Sequence, residues 1–426
     1  MNYKLTQLWQ KLTKNATLWQ VRHVKQAEQV RHVTLRQHLS LPSLLSHPSH
    51  LHMRIAIDAR MYGNSQCTGI GTYIEKLTSA LFEIDQENEY IMFMREPEFS
   101  KFTPPNNRVK KVLVTPRWYS YGEQFFLPFQ FMQEKFDLIH YPHFNSPVFF
   151  PKKSVCTIHD VTPLFFPGHK MKSIIRRLAY KLVFHATLRK AKQIIAVSES
   201  TKRGILENFN LPENKIKITY EGVDERFRII AKNDIISETK RKFGITQPYI
   251  FFIGVWRNHK NVETLVKSFA ILKEKYQLPH QLVLGGREDL HYTKIREEIN
   301  QSAYKKDIIT PGFISDTDLP ILYNAATLFA LPSFIEGFGI IAIEAQSCGC
   351  PVVSTNTTSM PEVLNDSALF FNPNDPEELA EKMFQIINNE TLRQNLIKKG
   401  LQNIKRFSWQ KCAKETLQIY QKTLNQ

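Results

Sequence analysis

From residue 53 onward the chain alternates between two hydrophobic rhythms. Short apolar runs (RIAID, YIMFM, KVLV, LIHY, VCTI, QIIAV and KIKITY) are separated mostly by longer amphipathic or polar segments. This alternation predicts a parallel sheet wrapped by helices. It pauses near TYEGVDERF (219–227) and the charged stretch that follows. It then restarts with YIFFIG, a helix from Asn261, QLVLGG, DIIT, TLFALPS and PVVST. The pattern therefore predicts an α/β chain of two doubly wound, Rossmann-like domains facing a cleft. The expected bounds are 53–224 and 247–406, with a linker at 225–246. Trp409, Ala413, Leu417, Tyr420 and Leu424 recur at helical spacing, so 407–426 reads as a final helix strapped back over the N-terminal domain. In such sheets ligands bind beyond the carboxyl ends of the strands, and the facing cleft is the expected site.

Composition changes this picture in two places. Residues 1–52 carry seven Lys/Arg, one acid and no glycine, and VRHV occurs twice, at 21–24 and 30–33. This segment reads as a leader, either loosely attached or preceding a true start at Met53. The formal net charge of the 426-residue chain is +16, which favours anionic partners. Cys67, Cys156, Cys348, Cys350 and Cys412 form neither a disulfide framework nor a metal-ligand spacing, so a cytoplasmic location is expected. No apolar run approaches the roughly 18 residues of a membrane span.

The sharpest chemical signal is FIEGFGIIAIEAQSCGCPVVST (334–355). TLFALPS reads as a buried strand and IIAIEAQSC as a helix stopped by Gly349 and Pro351. Glu336 then lies in the turn at the strand's carboxyl end, and Glu344 one helical turn in. Gly337 and Gly339 would let the backbone approach a ligand, and the helix start offers free N–H groups to a phosphate. Two acids beside an anion pocket suit a phosphorylated sugar, whose hydroxyls they can face, better than bare phosphate.

EGFGIIAIE, with seven residues between its glutamates, resembles the E-x7-E motif of retaining GT-B glycosyltransferases, notably family 4. The resemblance runs over 53–426 and keeps the family's order. It takes in TGIGTYI, His159-Asp160 followed by Pro163, AVSESTK, GVD, HKN, GFISDTDL and the terminal FSW helix. It implies that Glu344 binds the donor's ribose hydroxyls and that Glu336 holds the transferred sugar near its reacting carbon. The backbone of Phe338, Gly339 and Ile340 would meet the sugar and diphosphate. His259, Lys260 and Asn261 stand where the family usually has Arg-Lys-Asn, so Lys260 is the expected diphosphate cation. Arg257 either replaces the family's arginine or is a surface residue. By the same resemblance the Gly69–Gly71 turn faces the donor phosphate and the acceptor, and His159 contacts the donor sugar or its surroundings.

No metal and no cofactor beyond the nucleotide-sugar substrate are expected. Asp316-Thr317-Asp318 is Asp-x-Asp in letters only, with Asp316 reading as a helix N-cap, and Ser198 reads as another. Fixed cations and helix N–H groups would stabilise the leaving diphosphate instead. HKN and the HD…P segment resemble mannosyl- and rhamnosyl-type members, which favours GDP-mannose as donor. The expected acceptor is a surface glycan or a lipid-linked oligosaccharide. Residues 170–192 carry eight Lys/Arg and no acid on a helical apolar period, which suits an anionic membrane surface. WYSYGEQFFLPFQF (118–131) could assist, with most of its aromatics expected in the core. A GT-B epimerase or a hydrolase is the alternative enzyme. A nucleic-acid-binding protein is disfavoured, because the basic residues lack the aromatic interleaving of a stacking surface.

Overall fold

The computed structural model describes residues 52–63, 69–162, 174–231 and 233–426, with the side chains of 175 and 176 also left out. The expectations for 1–51, Thr68, Pro163 and 170–173 lie outside the described residues.

Two parallel sheets account for the alternating pattern. The first comprises β1 (Arg54–Asp58), β2 (Glu89–Met94), β3 (Val109–Leu113), β4 (Leu138–Tyr141), β5 (Ser154–Ile158), β6 (Gln193–Ala196) and β7 (Ile216–Ile218). Its order is β3-β2-β1-β4-β5-β6-β7. The second comprises β8 (Tyr249–Ile253), β9 (Gln281–Gly285), β10 (Ile308–Gly312), β11 (Leu328–Leu331), β12 (Val352–Thr355) and β13 (Ala368–Phe371), ordered β10-β9-β8-β11-β12-β13. Strands β4, β5, β6, β11 and β12 are buried along their whole length, because helices cover both faces of each sheet. Sequence order reverses at β1/β4 in the first sheet and at β8/β11 in the second. These are the switch points where doubly wound sheets open a crevice.

The helix Trp409–Leu424 ends the chain on the N-terminal half. Ser408 caps it by accepting from the Lys411 N–H at 3.1 Å. Trp409, Cys412, Ala413, Ile419 and Tyr420 then share one core with Tyr73, Ile74 and Leu77 of the helix Gly69–Ile84. Beneath it the Tyr420 hydroxyl meets His140 Nδ1 at 2.7 Å, and His140 Nε2 meets Thr157 Oγ1 at 2.8 Å. Burial pushes His140 down to about 3, so this contact is between neutral groups.

Two expectations are corrected. Asp316 is not a cap: the helix Asp318–Ala325 is capped by Ser315, whose Oγ accepts from the Asp318 N–H at 3.1 Å, while Asp316 pairs with Arg226 at 3.2 Å. The aromatic stretch is not mainly core. Leu127 and Phe131 are buried, but Tyr121, Phe125, Phe126 and Phe129 are exposed, because two short helices, Tyr121–Phe125 and Leu127–Met132, present only one face inward.

Candidate functional site

Strand β8 ends in the turn Asn258–Lys260, after which Asn261 adopts a left-handed conformation (φ 54°) to enter the helix Val262–Tyr276. That conformation is one asparagine tolerates better than most side chains. Asn261 Nδ2 donates to the Pro373 carbonyl at 2.8 Å, and the Phe334 N–H donates to the His259 carbonyl at 2.8 Å. The loop after β8 is thereby tied to the loop after β11, across the switch point.

This tie brings Lys260 and Glu336 together. Lys260 Nζ lies 2.7 Å from Glu336 Oε1, with the side chains 18% and 10% exposed. Burial alone would raise the Glu336 carboxyl, but the Lys260 ammonium outweighs it and holds the group below its ordinary value. The Glu336 backbone is fixed as well, its N–H donating to Thr358 Oγ1 at 3.1 Å and its carbonyl accepting from Ser359 Oγ at 3.0 Å. His259 beside the pair is pushed down to about 4, first by burial and then by Lys260, so it is neutral at physiological pH.

Glu344 has the opposite character. It is 8% exposed on the helix Ile340–Ser347, and it accepts a long contact from the Tyr323 hydroxyl at 3.5 Å. Burial pushes its carboxyl up to about 8, against the opposing pull of Arg226. The motif thus contains one ionised, paired acid and one acid short of partners.

The glycines between them have local reasons other than ligand approach. A Cβ on Gly337 would come within 2.0 Å of the His159 carbonyl oxygen, so the N-terminal half packs directly on this residue. Gly339 has φ 84° at the helix start, a conformation that favours glycine. Phe338 turns inward, stacking on Tyr220 at 5.9 Å between ring centres, which leaves its backbone to face the turn. Ile340 is half-buried and packs against the cores of both halves.

His159 follows β5. Its Nε2 meets the Pro142 carbonyl at 2.9 Å, its Nδ1 meets Glu221 Oε1 at 3.3 Å, and Tyr73 packs edge-on at 4.6 Å between ring centres. With Nε2 donating to a carbonyl, Nδ1 is positioned by Glu221. Gly69 and Gly71 form the first turn of the helix Gly69–Ile84. Gly69 faces open space, whereas a Cβ on Gly71 would lie 2.0 Å from the Gly63 carbonyl. Arg257 is half-exposed and paired with Asp289 at 3.2 Å, apart from the Lys260–Glu336 contact. Among the described residues, no group of three or more His, Cys, Asp or Glu could hold a metal ion, and no helix is long and apolar enough to cross a membrane.

Glu221 and Tyr323 are the partners that sequence reasoning passed over. Glu221 sits immediately before the GVD segment, so its position carried a signal. Tyr323 reads as an ordinary core aromatic, and only the fold places it 3.5 Å from Glu344.

Comparison with known proteins gives the same architecture. Residues 236–403 match the family described as Glycosyl transferases group 1, and residues 68–227 match Glycosyltransferase Family 4. The chain is 30% identical over 283 residues to O-antigen chain mannosyltransferase B of Escherichia coli, covering 66% of this chain and 74% of that one. It is 27% identical over 266 residues to the serotype-specific mannosyltransferase WbdA of Escherichia coli, covering 62% of this chain but only 32% of that longer protein. The crystal structure of Anabaena HepE in complex with UDP and glucose superimposes with a TM-score of 0.69 at 17% identity, covering 87% of this chain and 100% of that one.

Proposed function

The chain belongs to the family 4 glycosyltransferases, and from that membership we propose that it transfers a sugar, with retention and without a metal, from a nucleotide-diphosphate donor to a surface glycan or lipid-linked acceptor. GDP-mannose is the favoured donor. The mannosyltransferase relatives support this choice, as do His259, Lys260 and Asn261 in the donor loop. The observation that carries the reading is the Lys260–Glu336 pair at the β8/β11 switch point.

On this reading the Lys260 ammonium meets the diphosphate, where negative charge grows as the donor bond breaks. Glu336, ionised and pinned at its backbone, holds the sugar hydroxyls beside the reacting carbon. Glu344 receives the ribose hydroxyls, the donors its buried carboxyl is short of. The acceptor oxygen attacks the anomeric carbon on the face the diphosphate leaves, and the leaving phosphate oxygen takes the acceptor proton. His159, fixed by the Pro142 carbonyl, lines this space, and its nitrogens are engaged with the protein. The basic, apolar surface around the helix Ile174–Lys190 would hold the enzyme against an anionic membrane carrying the acceptor.

A thermal-shift panel with GDP, UDP, ADP and CMP, each with and without EDTA, tests the reading. A ligand at about 100 times its dissociation constant adds roughly 2.7 kcal/mol of stability. The expected result is a rise with GDP that EDTA leaves unchanged. A rise that disappears with EDTA would overturn metal independence, and no rise with any nucleotide would overturn the donor site.

A further inference from the structure

Strand β12 neighbours β11, and the loop that follows β12 holds the glutamate turn by its backbone. Thr355 Oγ1 donates to the Ser333 carbonyl at 2.8 Å, Thr357 Oγ1 to the Phe334 carbonyl at 3.0 Å and Ser359 Oγ to the Glu336 carbonyl at 3.0 Å. Thr358 does the reverse: its Oγ1 accepts from the Glu336 N–H at 3.1 Å.

Thr358 makes this contact from a costly backbone. Among the described residues, the non-glycine residues with positive φ are Tyr119, Asn261, Gln277, Thr358 and Asn365. Asparagine tolerates the left-handed region, and Gln277 simply ends the helix Val262–Tyr276. Thr358, at φ 50°, is the β-branched member of the group, and for such a side chain this conformation is an outlier. Burial does not offset the strain, because the residue is exposed. A glycine would make the same turn without it. What glycine lacks is the hydroxyl on the Glu336 N–H. Strained residues persist where their surroundings over-determine them, and they gather at functional sites. Here Thr357 and Ser359 are each bonded to the glutamate turn, which fixes the residue between them.

We propose that Thr358 is a positioning residue: its strained backbone aims a hydroxyl that fixes the Glu336 peptide, and so the carboxylate that holds the transferred sugar. The proposal rests on the glycosyltransferase reading and deepens it, naming a determinant of sugar placement as distinct from nucleotide affinity.

Three variants of the full chain separate strain from hydroxyl. Thr358→Gly removes both, Thr358→Val keeps the branch and loses the hydroxyl, and Thr358→Ser keeps the hydroxyl and loses the branch. The readouts are melting temperature, the GDP midpoint in thermal shift, hydrogen exchange at the Glu336 amide, and the rate of GDP release from GDP-mannose with water as acceptor. Thr358→Gly is expected to melt no lower than the wild type, with an unchanged GDP midpoint. It should nevertheless exchange the Glu336 amide roughly tenfold faster and release GDP roughly tenfold more slowly, the scale of one lost hydrogen bond. Thr358→Val should show the same two losses and melt below Thr358→Gly, and Thr358→Ser should rescue both.

Wild-type exchange and rate in Thr358→Gly and Thr358→Val would overturn the proposal. So would a Thr358→Ser enzyme as slow as Thr358→Gly. A Thr358→Gly enzyme that loses rate, melting temperature and GDP affinity together would also overturn it, since that is what a merely structural role produces. Failure of the donor reading shows separately, as a wild type that no nucleotide stabilises while exchange at Glu336 still follows the hydroxyl.

Discussion

Ser198 and Gly337 stand 139 residues apart, one in each half of the molecule, and the Ser198 hydroxyl donates to the Gly337 carbonyl oxygen at 2.6 Å. Ser198 Oγ also caps the helix Glu199–Asn208, accepting from the Thr201 N–H at 3.0 Å. Thr201 Oγ1 in turn reaches the His159 carbonyl at 3.0 Å and the Gly337 carbonyl at 3.3 Å. A residue that sequence alone marks as a helix cap therefore also clasps the glutamate turn to the histidine loop.

The clasp sets an order of sensitivity. Ser198→Ala removes a cap, a loss of about 0.5–2 kcal/mol, together with the inter-domain bond. Gly337→Ala drives a methyl group to within 2.0 Å of the His159 carbonyl, which only backbone movement can relieve. Both variants should melt below the wild type, with Gly337→Ala losing more transfer activity, and Ser198→Thr should retain the wild-type melting point. A Gly337→Ala enzyme as active as wild type would show that the two loops need not touch for turnover.

Lys260 and Glu336 are expected to behave as a unit. Removing one partner of a buried pair costs about 3–5 kcal/mol, because the other charge is left unpaired. Lys260→Ala should therefore destabilise the fold and weaken nucleotide binding, whereas Lys260→Ala combined with Glu336→Gln should recover much of the stability without activity. The Glu336 carboxyl is held below its ordinary value, so the pair's stabilisation is present above that value and is lost as pH falls through the lowered one. Melting curves of the wild type and Glu336→Gln should thus converge in acid. Parallel curves down to the acid limit would contradict an ionised, paired Glu336.

The fold was legible because its evidence is local. Mostly apolar runs such as LIHY and QIIAV show no alternating solvated face, and they became β4 and β6. Strand β13 escaped notice because ALFF is only four residues long and half-buried at the sheet edge, too short to show a period of its own. The two glutamates could be read from their spacing, but their protonation could not. Lys260 is 76 residues from Glu336, and Tyr323 is 21 from Glu344. Gly337 shows the same limit: its need for a bare Cα comes from His159 in the other half. Exposed aromatics at 125–129 were misjudged because hydrophobicity predicts burial only where a partner surface exists, and among the described residues none covers them.

That uncovered surface gives a membrane prediction. Ile174, Leu178 and Leu182 form an exposed stripe at 80%, 65% and 62% on the helix Ile174–Lys190, interleaved with exposed Arg177 and Lys181. The same helix is joined to the aromatic stretch through the 144–150 loop, since Thr187 bonds Ser146 at 2.7 Å and Gln124 reaches the Ser146 carbonyl at 3.1 Å. The full chain should sediment with phosphatidylglycerol vesicles, less so in high salt, and much less with phosphatidylcholine. Leu178→Asp with Phe126→Ser should release it while leaving the melting point intact. Sedimentation unaffected by these changes would move the contact elsewhere.

Glu344 provides the sharpest pH test. Its carboxyl is pushed up to about 8 by burial, so the folded protein favours the protonated form more than the unfolded chain does. The stability this contributes is complete below the ordinary value of 4.5 and is lost as pH rises through about 8. Glu344→Gln, which is never charged, should therefore match the wild type in acid and exceed it in melting temperature at pH 8 and above. Binding should run the other way. Ribose hydroxyls donate best to a carboxylate, so nucleotide affinity of the wild type should climb between about pH 6 and 8, by at most tenfold per unit for one proton released. The nucleotide's own phosphate also titrates in this range, so Glu344→Gln is the control that subtracts it, and its profile should be flatter and its affinity lower. Identical pH profiles for the two proteins, measured by calorimetry with GDP, would mean that Glu344 is a buried structural acid and that the ribose is held by something else.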